Sequence, residues 1–352
     1  MIVVIICGGQ GTRLWPISKP DYPKHLLRLV DDSSLLQNTV TRAKKLSSTI
    51  YFVTEASHAK EVAQQLPDIP AEQIIIEPAR RGTASCIAIA LATIKERHKT
   101  DETVVFLHAD HHIADQASFS AAAHAAAQAS EKNQAITLIG LTPHYPATGF
   151  GYIEMGKEMT SIEGYPVHKV EQFVEKPDES TARKYLKTNR YLWNLGLFAA
   201  PISVYEKEFA KHSPLLSTNY QKLSACITST KDADACYLDF ENEPIDTALI
   251  EKLDHVLVIP GNFDWADIGS FRDLHELLKN TEDVVTKGKV AQIDCEDTLI
   301  ISETDQPVVA IGLSGMVAIN TSQGILICPK DRAQNVKDGV ELLKKLGHYP
   351  KS

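Results

Sequence analysis

Apolar runs alternate with longer amphipathic stretches over residues 1–141 of the chain. The apolar runs are rich in β-branched residues and predict strands, whereas the stretches between them are long enough for helices. Continuous apolar strands separated by amphipathic helices predict a mostly parallel α/β sheet with helices on both faces. The predicted strands are 2–7, 49–54, 73–78, 103–110 and 135–141, and the predicted helices are 33–46, 57–66, 83–97 and 118–132.

The pattern loosens after residue 145, where short strands are joined by turns and helices, and it changes again near residue 284. Apolar quartets then recur at 298–301, 308–311, 316–319 and 325–328, with glycine or polar residues between them. This spacing predicts a small β-solenoid or sandwich. An amphipathic helix is predicted over 331–346, with Asp331 at its start. We therefore predict a first domain at 1–283 and a β-rich second domain at 284–352.

Right-handed crossovers place the carboxyl ends of parallel strands at one edge of the sheet, where open α/β sheets bind their ligands. Three stretches follow predicted strands in this way: Gly8 and the residues after it, 78–83, and Ala109–Asp110. The sequence thus predicts a ligand site built from these three stretches.

The chain has 352 residues, a net charge of −9 and a hydrophobic fraction of 43%. An acidic balance argues against a non-specific nucleic-acid or membrane binder, since both depend on clustered Lys and Arg. The six cysteines form no C-x-x-C pair and several lie in apolar runs, which is typical of reduced, buried thiols. The apolar run before Gly8 is too short for a signal peptide, so we expect a cytoplasmic protein.

The loop after the first strand reads GGQGTRLWPISKPDYPKHLL from Gly8 to Leu27. Gly8, Gly9 and Gly11 let backbone N–H groups approach an anion without a Cβ in the way. Arg13 and Lys24 follow closely, and two cations beside a bare amide loop suit a triphosphate. Neither the dinucleotide fingerprint nor the Walker pattern is present. A plain tight turn stays open as the alternative.

Acidic residues follow other predicted strands. Asp110 comes after a buried strand, where a carboxylate commonly holds Mg²⁺, although it also suits a helix N-cap. His108, His111 and His112 surround it, but Phe106 breaks the histidine pattern of a zinc hydrolase. Further along the chain, Glu175–Lys176 in FVEKP and Asp264 and Asp267 in FDWADIGSF suit an ion pair or a turn equally well.

Together these stretches resemble the sugar nucleotidyltransferases, and among them the bacterial guanylyltransferases that act on mannose 1-phosphate. The glycine loop resembles the family's signature loop, and EPARRGTASCIAIALA resembles its nucleobase segment. LHADHHI resembles its metal-binding strand end, and TGFGYIE, FVEKP and WNLGLF resemble its sugar pocket. PIDTALIEK and WADIGSF are similarly placed, and CPKDRAQNVK is typical of the guanylyl branch. The resemblance implies a Rossmann-like catalytic domain followed by a small domain like a left-handed β-helix.

Carried over by position, the resemblance also assigns residues. The nucleotide is assigned to Gly8, Gly9, Gly11, Thr12, Arg13, Thr83 and Ala84. The sugar phosphate is assigned to Gly151, Glu175, Lys176 and Asn194. The catalytic residues are Arg13, Lys24, Asp110 and Asp267, of which Asp110 and Asp267 are the Mg²⁺ ligands. Gly82 and Leu195 depart from the family, which commonly has Asn and Ser there, and so they bear on the choice of base and sugar.

The resemblance implies transfer of GMP from GTP to mannose 1-phosphate, giving GDP-mannose and pyrophosphate, with Mg²⁺ as cofactor. GTP and mannose 1-phosphate are then the partners, and the β-rich segment is a candidate for homodimer formation. One alternative is a nucleotidyltransferase for a different sugar 1-phosphate or base. Another is a non-catalytic paralogue that binds a sugar nucleotide and regulates a partner, but such a protein should have lost a charged site residue. A zinc hydrolase built on the three histidines is the third.

Overall fold

A computed structural model describes residues 1–9, 11–279 and 283–349. The strands are β1 (Ile2–Cys7), β2 (Ile50–Glu55), β3 (Ile74–Glu77), β4 (Thr103–His108), β5 (His111–Ile113), β6 (Ile136–Leu141), β7 (Tyr152–Ile162), β8 (Tyr165–Val174), β9 (Tyr191–Pro201), β10 (Val256–Gly261), β11 (Trp265–Asp267), β12 (Val285–Lys287), β13 (Val290–Ile293), β14 (Leu299–Ser302), β15 (Val308–Ile311), β16 (Met316–Thr321) and β17 (Gly324–Pro329). The α-helices are α1 (Leu35–Ala43), α2 (Ala59–Gln65), α3 (Gly82–His98), α4 (Gln116–Asn133), α5 (Glu179–Leu186), α6 (Ile202–His212), α7 (Pro214–Cys226), α8 (Thr230–Leu238), α9 (Ile245–Ala248), α10 (Phe271–Leu278) and α11 (Val336–Lys345).

The first of two compact units comprises Met1–Cys7, Thr39–Ala109 and Ile113–Asp264. Its nine-stranded sheet has the order β3-β2-β1-β4-β9-β6-β10-β8-β7. Strand β9 is antiparallel to β4 and β6, and β8 is antiparallel to β10 and β7. Every other strand of this sheet runs in one direction, so the predicted mostly parallel sheet is confirmed.

The core of this unit explains why the sequence forms these elements. Every residue of β1 is buried, as the continuous apolar run predicts for a central strand. Helix α3 is buried from Ala84 to Ile94 and belongs to the same apolar cluster as β1 and β4. Its many alanines keep its surface shallow and allow close packing.

The second unit comprises Gly8–Asn38, Asp110–His112 and Trp265–Ser352, of which residues 10, 280–282 and 350–352 lie outside the described residues. Strands β12, β14 and β16 pair in parallel, as do β13 and β15, whereas β17 is antiparallel to β16. The four predicted apolar quartets lie in β14, β15, β16 and β17. A β-rich, solenoid-like region is therefore confirmed.

The glycine loop packs within this second unit. Leu14 and Ile17 are buried in one apolar cluster with Leu299 and Val317. Phe271 of α10 joins the same cluster. These residues anchor the loop between Gly8 and Asn38 at several points. The domain boundary near residue 284 stays a prediction.

The last helix begins later than the sequence predicts. Residues Lys330–Asn335 form a 3₁₀-helix, and α11 begins only at Val336. Asp331 therefore lies in the 3₁₀ turn rather than at the start of an α-helix, so that part of the prediction is wrong. The tighter turn lets Ala333 enter the core of the second unit while Val336 and Val340 pack on Trp15.

None of the helices that the structure describes has both the length and the apolar character needed to span a membrane.

Candidate active site

Three of the four predicted catalytic residues meet in the second unit. Lys24 Nζ lies 2.8 Å from Asp110 Oδ2 and 2.5 Å from Asp267 Oδ1. Lys24 is in a 3₁₀ turn of the glycine loop, Asp110 lies between β4 and β5, and Asp267 ends β11. Asp110 and Asp267 thus share the Lys24 ammonium group, and Lys24 and Asp267 are 243 positions apart in the sequence.

The charges of this cluster favour a further cation. Burial by itself lowers the pKa of Lys24, but the carboxylates of Asp110 and Asp267 outweigh it and raise the pKa above its ordinary value. Lys24 is therefore charged at neutral pH. Two carboxylates beside one ammonium leave one net negative charge, and both acids keep part of their surface open to solvent. Such a site suits a divalent ion with phosphate oxygens as further ligands.

Gly11 explains why the loop needs glycine. Its φ is +58°, and a Cβ there would lie 2.6 Å from Ser18 Oγ and 3.1 Å from the backbone N of Lys24. Gly11 therefore lets the loop turn back tightly onto Lys24. Gly9 also has positive φ, +96°, but a Cβ there would meet nothing within 4 Å, so only its backbone conformation favours glycine. Gly8 precedes this turn.

The two residues that follow Gly11 begin a 3₁₀-helix, Thr12–Leu14. Leu14 is buried, whereas Arg13 is exposed on the same turn. The turn thus fixes the backbone through the leucine and leaves the guanidinium group at the surface of the second unit, where an anion can reach it.

The predicted nucleobase segment lies in the first unit, at the start of α3. The Ala84 N–H donates to the Glu243 carbonyl at 3.2 Å, and the Ile245 N–H donates to Thr83 Oγ1 at 2.8 Å. Gly82 has a φ of +80°, and a Cβ there would overlap the Glu243 carbonyl oxygen. Gly82 is therefore required by this close approach, since the structure leaves no room for the asparagine that the family commonly has.

The predicted sugar residues also meet in the first unit. A Cβ at Gly151 would lie 2.5 Å from Glu175 Oε2 and 3.1 Å from Asn194 Cβ, so both side chains lie against Gly151. The Asn194 N–H donates to the Gly151 carbonyl at 2.8 Å. Leu195 is buried beside them in β9. The departure at Leu195 therefore faces the protein interior.

Glu175 and Lys176 lie just past β8, which ends at Val174. Lys176 has a φ of +47°, and its Nζ lies 2.6 Å from Glu175 Oε1. The left-handed backbone removes the strand alternation that would point these side chains to opposite faces. Both can therefore act on one ligand.

The histidines around Asp110 do not form a group with metal-site geometry among the residues that the structure describes. The one group of His, Cys, Asp and Glu with that geometry there is His275, Glu276 and Asp297. The His111 ring packs edge-on against Trp265 at 5.3 Å between centroids. His108 Nε2 lies 2.5 Å from the position that a Cβ on Gly196 would take. His108 and His111 therefore lie in close packing contacts.

Asp246 is a residue that the sequence assignment passed over. It lies in PIDTALIEK, at the start of α9, and Asn194 Nδ2 donates to its Oδ1 at 2.8 Å. The signals in the sequence were its acidic side chain and its place in PIDTALIEK, one of the segments that resemble the family, and a helix cap explains the acid equally well.

Comparison with known proteins agrees with this geometry. A family model described as nucleotidyl transferase matches residues 2–284, and one described as MannoseP isomerase/GMP-like beta-helix domain matches residues 288–345. Mannose-1-phosphate guanylyltransferase 2 of Escherichia coli O157:H7 is 35% identical over 98% of this chain and 73% of its own length. Mannose-1-phosphate guanylyltransferase RfbM of Salmonella typhimurium LT2 is 35% identical over 97% of this chain and 72% of its own length.

A solved structure shares the fold over most of the chain. It comes from Thermus thermophilus and is described as a mannose-1-phosphate geranyltransferase. It is 28% identical with a TM-score of 0.86, and the match covers 97% of this chain and 99% of that one. The chain therefore belongs to the nucleotidyl transferase family, and it is an enzyme of that class. Within the class, its relatives are the mannose-1-phosphate guanylyltransferases. Enzymes of the family generally use a divalent metal ion.

Proposed function

We propose that this enzyme transfers GMP from GTP to mannose 1-phosphate and releases pyrophosphate. The observation that carries the proposal is the cluster of Lys24, Asp110 and Asp267, because it combines one fixed cation with an excess of carboxylate. Phosphoryl and nucleotidyl transfer need such a combination of ammonium and metal-binding groups. The relatives' names support the choice of sugar and base.

The reaction requires little from the protein beyond positioning the two substrates and neutralising their phosphate charge. A phosphate monoester is already ionised near pH 7, so the sugar phosphate can attack the α-phosphorus of GTP without a strong general base. The barrier arises from repulsion between two anions and from charge that builds on the departing pyrophosphate. Lys24 holds the reacting phosphates, and Arg13 neutralises the leaving group.

Asp110 and Asp267 fit a Mg²⁺ site. Their oxygens already converge on one cation, the Lys24 ammonium, at 2.8 and 2.5 Å. Carboxylates are the ligands that Mg²⁺ takes together with phosphate oxygens. When bound, the ion would screen phosphate charge.

The remaining assignments complete the substrate sites. Gly8, Gly9, Gly11 and Thr12 present backbone groups to the nucleotide, and Thr83 and Ala84 lie where the base would be read. Gly151, Glu175, Lys176 and Asn194 bind the sugar phosphate. This assignment is supported by the contacts of Glu175 and Asn194 with Gly151 and by the ion pair of Lys176 with Glu175. A cytoplasmic location is supported by the six cysteines, all of them free thiols. A homodimer stays a prediction.

The test is pyrophosphate release from GTP and mannose 1-phosphate, with and without Mg²⁺. The proposal expects release that needs both substrates and stops when the ion is chelated. A panel of sugar 1-phosphates and nucleoside triphosphates then identifies the preferred pair. Faster release with another sugar or base would replace mannose or guanine, and no release with any pair would support a binding paralogue.

A further inference from the structure

Asp246 contacts the residues of the proposed sugar site without belonging to the assigned set. It is half-buried in α9, and its Oδ1 accepts a hydrogen bond from Asn194 Nδ2 at 2.8 Å. The Gly196 N–H donates to Asn194 Oδ1 at 3.1 Å. With its oxygen and one N–H occupied, the Asn194 amide has a single orientation, and one Nδ2 hydrogen is left to donate elsewhere.

Holding a carboxylate at this place costs free energy. Burial, and then the charge of Glu175, raise the pKa of Asp246, whereas Asn194 and His108 act against that rise. An apolar side chain would avoid this cost. A carboxylate kept beside Glu175 is therefore poorly explained by stability alone, and it favours a role in the site.

The segment that carries Asp246 also contacts the proposed nucleobase segment. The Glu243 N–H donates to the Arg81 carbonyl at 3.3 Å, and the Glu243 carbonyl accepts from Ala84. The Ile245 N–H donates to Thr83 Oγ1. Residues 243–246 therefore brace the start of α3 through their backbone, whereas Asp246 reaches Asn194 through its side chain. The two supports use separate groups and can be separated by substitution.

We propose that Asp246 is a positioning residue for the sugar 1-phosphate: it holds the Asn194 amide so that its remaining N–H points at the sugar. This inference rests on the proposed function, since it takes Asn194 as a sugar contact. It assigns to Asp246 an effect on sugar binding and none on the nucleotide, because the backbone contacts of residues 243–245 do not depend on its side chain.

The test is the KM of each substrate in Asp246→Ala and Asp246→Asn, measured as pyrophosphate release. A hydrogen bond to a charged group implies that Asp246→Ala raises the KM for mannose 1-phosphate about 10-fold or more. The KM for GTP should stay within about 2-fold. Asp246→Asn should restore most of the loss, since an amide oxygen can accept the same bond from Asn194.

Controls separate positioning from folding. Glu241→Ala removes an exposed acid from the same segment and should change neither KM. Thermal unfolding shows whether each variant is folded. If Asp246→Ala does not fold, Asp246→Glu replaces it, because it keeps the charge but displaces the carboxylate oxygen from Asn194. Asp246→Glu should also raise the KM for mannose 1-phosphate and leave the KM for GTP unchanged. Because both residues act through one contact, Asn194→Ala with Asp246→Ala should be no worse for the sugar than Asn194→Ala alone.

Two kinds of failure are distinguishable. An active wild type whose Asp246→Ala variant keeps the sugar KM within about 2-fold, or raises both KM values equally, would overturn the role of Asp246 alone. Failure of Asp246→Asn to recover sugar binding would do the same. A folded wild type with no pyrophosphate release from GTP and mannose 1-phosphate would overturn the proposed function together with this inference.

Discussion

Two lysines of the second unit lie between acidic pairs in closely similar ways. Lys24 contacts Asp110 and Asp267, whereas Lys330 Nζ lies 3.1 Å from Glu276 Oε1 and also bonds to Asp297 Oδ1. Both lysine side chains are nearly buried, with exposed fractions of 8% and 13%. An acid-bracketed lysine is therefore not by itself a phosphate site.

The surroundings of the two clusters differ. Lys330 Nζ lies 3.3 Å from Nδ1 of the fully buried His275, whose Nε2 contacts the Asp283 carbonyl at 2.9 Å. Its cluster thus ties α10 and the strands of the β-rich region together. Lys24 instead lies against the turn at Gly11, and Arg13, two residues after that glycine, is exposed. The bare loop and the second cation distinguish the proposed phosphate site from the structural cluster.

Replacing each lysine by methionine tests this contrast most strongly. Lys24→Met should lower kcat/KM at least about 100-fold, or about 2.7 kcal/mol, because phosphate charge loses its fixed partner. Lys330→Met should leave kcat/KM within about 3-fold while lowering the Tm by a few degrees. Pyrophosphate release and thermal unfolding measure the two effects. A larger loss of activity in Lys330→Met would reverse the assignment of the clusters.

Removing one acidic charge from each cluster repeats the contrast at the proposed metal ligands. Asp110→Asn should lower kcat/KM by at least about 100-fold, since the site then lacks one of two carboxylates for the ion. Asp297→Asn is the matched control and should stay within about 3-fold of wild type. Near-wild-type turnover of folded Asp110→Asn at saturating Mg²⁺ would remove Asp110 from the site.

Substitution in the glycine turn should have a smaller effect, and the effect should be on stability. Gly11→Ala places a Cβ against Ser18 and Lys24 at positive φ, so we expect a loss of about 1–3 kcal/mol in stability and a displaced Lys24. Gly315→Ala has a similar φ of +63° with nothing within 4 Å of the Cβ, and it should cost only about 1 kcal/mol. Denaturant unfolding measures both. Equal losses would show that contact with Lys24 contributes nothing.

The smallest expected effect concerns acid stability. Burial opposes ionisation of Glu276, but Lys279 and Lys330 outweigh it and lower its pKa to about 2. Because its pKa is lowered in the folded state, ionised Glu276 stabilises the folded protein at pH values above its ordinary pKa of 4.5. This stabilisation is lost as the pH falls towards 2. Glu276→Gln should therefore lower the Tm by a few degrees at most at pH 7, and less at pH 3. A Tm difference that grows towards pH 3 would contradict this sign.

The local sequence pattern predicted much of the fold and part of the candidate site. Residues of β1 lie in a continuous apolar run, which predicted that strand. Lys24, Asp110 and Asp267 lie in segments with a family resemblance, and the resemblance predicted a common site for these residues, which the structure brings into contact. The partners of Lys330 were not found, because His275 and Glu276 lie in α10 and Asp297 lies between β13 and β14, and only tertiary packing brings these segments to Lys330. Asp246 was missed for the same reason, since its partner Asn194 is 52 residues away. The late start of α11 depends on the packing of Ala333, which the spacing of apolar residues in the sequence does not predict.

The central claim is that the Lys24 cluster, and not the Lys330 cluster, binds the divalent ion and the phosphates. A crystal grown with Mn²⁺ and a non-hydrolysable GTP analogue, measured at the manganese absorption edge, tests it most directly. We predict anomalous density at the carboxylates of Asp110 and Asp267, with the phosphates in reach of Lys24 and Arg13. Density at His275, Glu276 and Asp297, or phosphates bound away from Lys24, would contradict the account.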